Sequence, residues 1–239
     1  KFLMEKSILI KEKIKNFNKI ITVSGDKSLS IRWVLFASLA NGVSKANNLL
    51  MSEDVKTALN AIKNLGIKYE IKNGQCIIHG KGIDGYKYKK NITIDSKNSG
   101  TLGRLLLGIL IDTPYPIKLI GDKSLSKRDF LRVSKPLEKF GAKFKTNSGK
   151  LPIYIKGTNN ALPIKYNETR GSAQCKSAVM LAALNTKGET TIKAKKSRDH
   201  SELLFKYLKL PIKISKKKNY DLIKIKGGKK IPSINYKIP

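Results

Sequence analysis

The chain has 239 residues, 40% of them hydrophobic, which is enough apolar material for one large domain or two small ones and too much for a disordered segment. Its formal charge of +32 invites a nucleic-acid or anionic-surface reading, but no RNA- or DNA-binding signature accompanies it. Only six of the 49 basic residues are arginine, and the lysines are scattered among Ile and Asn. That pattern reads as a compositional bias and directs attention to the arginines, whose rigid fork of donors suits phosphate and carboxylate.

In chain order, the opening KFLMEKSILIKEKIKNF (1–17) is charged throughout and lacks the apolar stretch of a signal peptide. Three segments then overlay: about 22–82, 92–158 and 163–228. Each reads as strand, helix, strand, helix, strand, strand, and closes on a turn spelled GKG, KGT or KGG. The first segment opens on ITVS, the second on ITID and the third on PIKYN, where the first strand of each is read. The second helix of each segment gives the clearest alignment. Val55, Ala58, Leu59, Ile62 and Leu65 precede Gly66; Phe130, Val133, Leu137 and Phe140 precede Gly141; Leu203, Leu204, Tyr207 and Leu210 precede Pro211. The spacing describes a helix with one buried face, ended by glycine or proline. Asp54, Asp129 and Asp199 fall at one place in its first turn, where a carboxylate suits the helix dipole. His200 then aligns with apolar residues and reads as a half-buried helix position. The expected fold is α/β: three βαβαββ units in one domain, helices packed inside and sheets outside.

The first helices carry the chemistry. Ser28, Gly100 and Ser172 recur at one spacing, and Arg32, Arg104 and Lys176 follow each by four positions, on the same helix face. Free N–H groups at a helix start attract anions, and small residues let a ligand approach the backbone. Three such starts in register predict a pocket for a polyanion. The hexapeptide GDKSLS occurs at 25–30 and at 121–126, yet the repeat maps Lys27 onto Ser99, so the two copies open different helices. Cys76 and Cys175 read as reduced thiols rather than a disulfide framework, and with His79 and His200 they make no metal cluster. No apolar run is long enough to span a membrane.

The segments GDKSLSIRWVLFASLANG, NSGTLGRLLLG, GDKSLSKR, GSAQCKSAVMLAAL and SRDHSE stand in the order and spacing of the 5-enolpyruvylshikimate-3-phosphate synthases, and the resemblance covers about residues 7–239. It implies transfer of the enolpyruvyl group of phosphoenolpyruvate to the 5-hydroxyl of shikimate 3-phosphate, with release of phosphate, in the shikimate pathway of aromatic amino-acid biosynthesis. It implies an inside-out α/β barrel of two domains, of which this chain supplies one. Residues 1–21 are then expected to belong to the missing second domain, 22–230 to form the three-unit domain, and 231–239 to cross towards the second. Position by position, the resemblance assigns Lys27, Ser28, Arg32, Ser172, Ala173, Gln174, Ser197 and Arg198 to shikimate 3-phosphate. It assigns Lys27, Asn98, Gly100, Thr101, Arg128 and Gln174 to phosphoenolpyruvate. It implies no cofactor and no metal, no nucleic-acid or membrane partner, a cytoplasmic monomer when full length, and acid–base groups in the absent half. This fragment alone is therefore expected to bind substrate and turn over negligibly.

Several positions depart from the family pattern: Ser24 for a usual Pro, Ile31 for a polar residue, Lys97 for a usual Gly before NSGT, and Arg170 in the unusual stretch ETRGSAQ, where an exposed side chain is expected. Three rivals stand beside this reading. One is the related enolpyruvyl transferase acting on UDP-N-acetylglucosamine, whose glycine-rich loop with a cysteine is absent around Cys76 and Cys175. Another is a basic nucleic-acid-binding protein, and the last an enzyme half acting as partner of a separately encoded half.

Overall fold

The computed structural model describes residues 8, 9, 11–13, 16 and 18–239; residues 1–7, 10, 14, 15 and 17, which fall in the segment expected to join a second domain, lie outside the described residues. The first unit runs α1 (Lys27–Leu39), β1 (Ala40–Asn47), α2 (Glu53–Asn64), β2 (Lys68–Lys72) and β3 (Gln75–Lys81). The second runs β4 (Thr93–Asp95), α3 (Gly100–Ile109), a 3-10 turn (Leu110–Asp112), β5 (Ile117–Ile120), α4 (Lys123–Ser126), α5 (Leu131–Glu138), β6 (Lys143–Asn147) and β7 (Lys150–Lys156). The third runs β8 (Lys165–Glu168), α6 (Ala173–Asn185), β9 (Gly188–Lys195), α7 (His200–Tyr207), β10 (Ile212–Lys216) and β11 (Tyr220–Gly227). Two short strands follow, β12 (Ile231–Pro232) and β13 (Asn235–Lys237).

Each unit builds its own sheet. The second is ordered β4-β5-β7-β6 and the third β10-β11-β9-β8; in both, the opening strand is parallel to its neighbour and the other pairs are antiparallel. The first sheet differs. No strand forms at residues 21–24, contrary to the sequence reading, and these residues are exposed. The place parallel to β1 is taken by β12 and β13, with Lys45 opposite Asn235 and Asn47 opposite Lys237. Residues 231–237 are thus part of the first sheet as well as the stretch expected to lead away from the domain. They hold it over 190 residues of sequence: the Ile234 N–H donates to Ser44 Oγ at 3.0 Å.

The three first helices α1, α3 and α6 are buried on every side from their first turn onward, as helices apolar all round must be. Gly108 on α3 lies so close to α6 that an added Cβ would come within 2.1 Å of the Ala178 carbonyl oxygen. Each fully buried Leu, Ile or Phe in this trio is worth about 1.5–3 kcal/mol. The second helices α2, α5 and α7 bury one face only. The strands alternate: in β7, Leu151, Ile153 and Ile155 face the helices, and in β9, Thr190, Ile192 and Ala194 do. The outward positions carry lysines on all three sheets, including Lys68 and Lys72, Lys143 and Lys156, Lys193 and Lys224, so this charge covers the surface without gathering on one face.

Gly66 and Gly141 take positive φ just beyond α2 and α5, as helix ends of this type require. The third unit places Lys209 there, at φ 52. The three aspartates do not share one position. Asp54 lies inside the first turn of α2, Asp129 precedes the first residue of α5 by two, and Asp199 is the N-cap of α7. The short α4 is inserted only in the second unit and delays its second helix.

Candidate functional site

α1, α3 and α6 all begin at one end of the molecule. Gln174 at the start of α6 reaches Thr101 and Arg104 at the start of α3, while Arg32 of α1 reaches Ser177 of α6. The starts are capped by side chains: Asp26 accepts from Leu29 N–H, Ser99 from Leu102 N–H and Ser172 from Cys175 N–H. Ser28, Gly100 and Ser172, equivalent by sequence spacing, therefore sit at the second helical residue, the first helical residue and the cap. The twin hexapeptides share one local structure, since Asp122 caps α4 as Asp26 caps α1.

Two of the three bases that recur in the repeat keep their charge for the site. Arg32 is 4% exposed. Its Nε donates to Ser201 Oγ (2.8 Å), Nη2 to Ser177 Oγ (3.2 Å) and Nη1 to the Ser28 carbonyl (3.1 Å). Arg104 is 2% exposed. Its Nη1 donates to Gln174 Oε1 (2.6 Å) and the Gly100 carbonyl (3.4 Å), Nη2 donates to the Asp129 carbonyl (3.4 Å), and the guanidinium lies over the Phe130 ring. Every one of these acceptors is a neutral oxygen. Burial pulls the pKa of each arginine down to about 10, so both remain charged at neutral pH without a hydrogen-bonded carboxylate among the described residues.

The third base behaves differently. Lys176 is 1% exposed and forms an ion pair with Glu202 of α7 at 2.5 Å. It is spent inside the fold, which corrects the expectation that it would join Arg32 and Arg104 as a ligand group.

The remaining expected residues line the same end. Arg128 Nη2 donates to Asn98 Oδ1 (3.0 Å) and Ser124 Oγ (3.5 Å). Gln174 Nε2 donates to Thr101 Oγ1 (3.0 Å), so Gln174 links α6 to both Thr101 and Arg104. A Cβ on Gly100 would come within 2.8 Å of Arg104 Nη1 and 3.0 Å of Arg128 Nη1, which explains a residue without a side chain there. Lys27 pairs with Asp54 at 3.0 Å. Ala173 opens α6. Ser197 Oγ is buried without a hydrogen-bond partner among the described residues, and Arg198 is exposed. Arg198 is near enough to Arg32 to depress its pKa, yet no contact joins either Ser197 or Arg198 to the Gln174 group.

Sequence reasoning left several contributors out of the site. Arg104 was flagged by the repeat, but Arg132 carried no signal beyond the rarity of arginine; it lies close enough to Arg104 to depress that pKa. Arg170 is exposed, as expected, and pairs with Asp129 at 3.4 Å across the second and third units. Glu168 is buried and accepts from the Arg170 and Ser172 N–H groups, shaping the turn that leads into α6. All six arginines of the chain thus lie around the helix starts.

At the opposite end, where the trio finishes, Asn41, Asp84, Asp112, Asn185 and Lys187 help line an open cavity of about 680 Å³. Asn185 Nδ2 donates to Asp112 Oδ1 (3.3 Å), and burial raises the Asp112 pKa to about 7. Cys76 and Cys175 are free and buried. Among the described residues, no helix is long and apolar enough to cross a membrane.

Comparison with known proteins bears on this arrangement. The family model described as EPSP synthase (3-phosphoshikimate 1-carboxyvinyltransferase) matches residues 11–239. The chain is 40% identical over 220 residues to a 3-phosphoshikimate 1-carboxyvinyltransferase of Vesicomyosocius okutanii, covering 92% of this chain and 49% of that protein. It is also 40% identical over 228 residues to the protein of that name from Caldicellulosiruptor bescii, covering 94% and 52%. A solved structure of EPSP synthase from Acinetobacter baumannii superimposes with a TM-score of 0.84 at 35% identity, over 92% of this chain and 49% of that one. The chain spans about half the length of the curated relatives it matches. With the family's model running through all three units and its fold reproduced in the three sheets and central helix trio, this chain belongs to the EPSP synthase family.

Proposed function

We propose that this chain is the shikimate-3-phosphate-binding half of an enzyme that moves the enolpyruvyl group of phosphoenolpyruvate onto the substrate's 5-hydroxyl and releases phosphate. The observation that carries this reading is the pair of buried arginines, Arg32 and Arg104, whose hydrogen bonds among the described residues all go to neutral oxygens at converging helix starts. A buried cation without a carboxylate partner is costly, and an anionic ligand offsets that cost.

In this reading Lys27, Ser28, Arg32, Ser172, Ala173, Gln174, Ser197 and Arg198 hold shikimate 3-phosphate. Lys27, Asn98, Gly100, Thr101, Arg128 and Gln174 face phosphoenolpyruvate. Gln174, already bonded to both Thr101 and Arg104, spans the two sets. Two phosphorylated substrates repel each other, so fixed cations must bring them together; alignment of this kind supplies about 7–11 kcal/mol of a barrier. The same cations stabilise charge developing on the departing phosphate. The groups that carry protons to and from the methylene carbon belong outside this chain, and segment 1–21 belongs with them in a second domain. The chain alone then binds substrate without turnover.

Calorimetric titration with shikimate 3-phosphate, beside an Arg32→Ala variant, tests the proposal. Saturable binding that the variant loses is the expected result. Absence of binding both to this chain and to one extended by its second half would sink the reading.

A further inference from the structure

Arg32 is gripped by an unusual partner. Its Nε and Nη2, which form one edge of the guanidinium fork, meet Ser201 Oγ at 2.8 Å and Ser177 Oγ at 3.2 Å. That edge ordinarily receives the two oxygens of a carboxylate. Here two hydroxyls stand in their place, themselves hydrogen-bonded at 2.7 Å, one from α6 and one from α7, both 1% exposed. They match the paired geometry of a carboxylate without its charge. Of the five guanidinium N–H groups, three have acceptors; one on Nη1 and one on Nη2 have none among the described residues.

The adjacent ion pair completes the argument. Glu202 follows Ser201 in sequence and is the acid that most strongly favours the charged form of Arg32. It would serve as the counter-ion were it free. Lys176, which precedes Ser177, engages it at 2.5 Å instead. Two neighbouring residues on α6 and two on α7 therefore divide the work: Lys176 and Glu202 neutralise each other, while Ser177 and Ser201 fix the guanidinium.

We propose that Ser177 and Ser201 are positioning residues that form a charge-neutral clamp, aiming Arg32 while reserving its full charge for the bound anion. The proposal deepens the reading given under Proposed function and rests on it for the identity of that anion. It makes the site less stable than it could be. A carboxylate in the clamp pairs with Arg32 inside the fold and takes it away from the ligand.

The test is Ser201→Asp, with Ser177→Asp as the second variant should the first overfill its site. Each is melted without ligand, then titrated with shikimate 3-phosphate and, separately, with inorganic phosphate. The clamp predicts opposite movements: melting rises by about 3 °C or more, while affinity for both ligands falls about thirtyfold or more. A merely structural pair of serines predicts that stability and affinity fall together, and that result overturns the clamp. So does a carboxylate variant that melts higher yet binds as tightly as the parent. Each titration is repeated on the chain extended by its second half. Binding of phosphate but not of shikimate 3-phosphate by both parents leaves the clamp standing and sinks the substrate reading. Binding of neither ligand by either parent overturns both.

Discussion

Where α1, α3 and α6 begin, Arg32 and Arg104 are buried against hydroxyl, amide and carbonyl oxygens. Where the same helices finish, Asp112 is half-buried beside Asn185 with its pKa raised to about 7. Both ends enclose a titratable group in low dielectric, and at both ends burial opposes its charged form. The responses differ. Arginine cannot give up its proton at neutral pH, so the helix starts retain a buried positive charge, which the proposed function answers with an anion. Aspartate can take a proton, so the helix ends relieve the same stress without a ligand. Parallel alignment sharpens the contrast, since helix starts favour negative partners and helix ends repel a further carboxylate.

The largest expected effect comes from breaking the ion pair in which Lys176 holds Glu202 beside the buried Arg32. Lys176→Ala leaves Glu202 buried and unpaired and should cost about 3–5 kcal/mol in denaturant unfolding. Replacing both partners, Lys176→Met with Glu202→Leu, should restore most of that loss. If Lys176→Ala unfolds at the parent's midpoint, the pair is not buried as described.

Asp112→Asn addresses the other end. The folded pKa of about 7 stands above the ordinary 3.8, so the stability tied to Asp112 is fully present below about pH 4 and is lost as pH rises through 7. The asparagine variant should flatten that dependence and gain about 2 kcal/mol at pH 8, after allowance for solvent on its open side. Melting curves from pH 4 to 8 for both proteins check it, and parallel curves would refute the assignment.

At the helix starts, Arg104→Lys keeps the charge but loses the fork that holds Gln174 and the Asp129 carbonyl. On the proposed function, affinity for shikimate 3-phosphate should fall about tenfold, close to 1.4 kcal/mol. Unchanged affinity would mean that charge alone suffices there.

The smallest test compares units rather than ends. Lys209 holds the positive φ that Gly66 and Gly141 hold elsewhere, so Lys209→Gly should stabilise the chain by about 1 kcal/mol. A loss of stability on that change would show that the lysine side chain contributes more than the strain costs.

Much of this organisation was legible in the sequence because it repeats. The amphipathic spacing of the second helices fixed the alignment, and the alignment exposed Arg32 and Arg104 at matching depths. What failed did so for physical reasons. The run ITVS at 21–24 resembles ITID at 92–95, where β4 forms, but a strand needs a neighbour, and the place beside β1 is filled by residues 231–237. The equivalence of Lys176 with the two arginines held for position and not for role, because its partner Glu202 lies on another helix. The three aspartates looked equivalent, but α4 delays the start of α5 past Asp129, and α7 begins just after Asp199 whereas α2 begins just before Asp54.

The strand exchange in the first sheet also sets an order of events during synthesis. The second and third sheets each draw their strands from within their own unit, and each can close as soon as its last strand is made. The first unit is made earliest and finished last. β1 gains its parallel partner only when residues 231–237 are available, and the Asp26 N–H at the head of α1 waits for the Pro239 carbonyl, 2.8 Å away. A growing chain therefore carries an open sheet edge from its first unit until residues 231–237 emerge, and that edge is where premature pairing between nascent copies would begin.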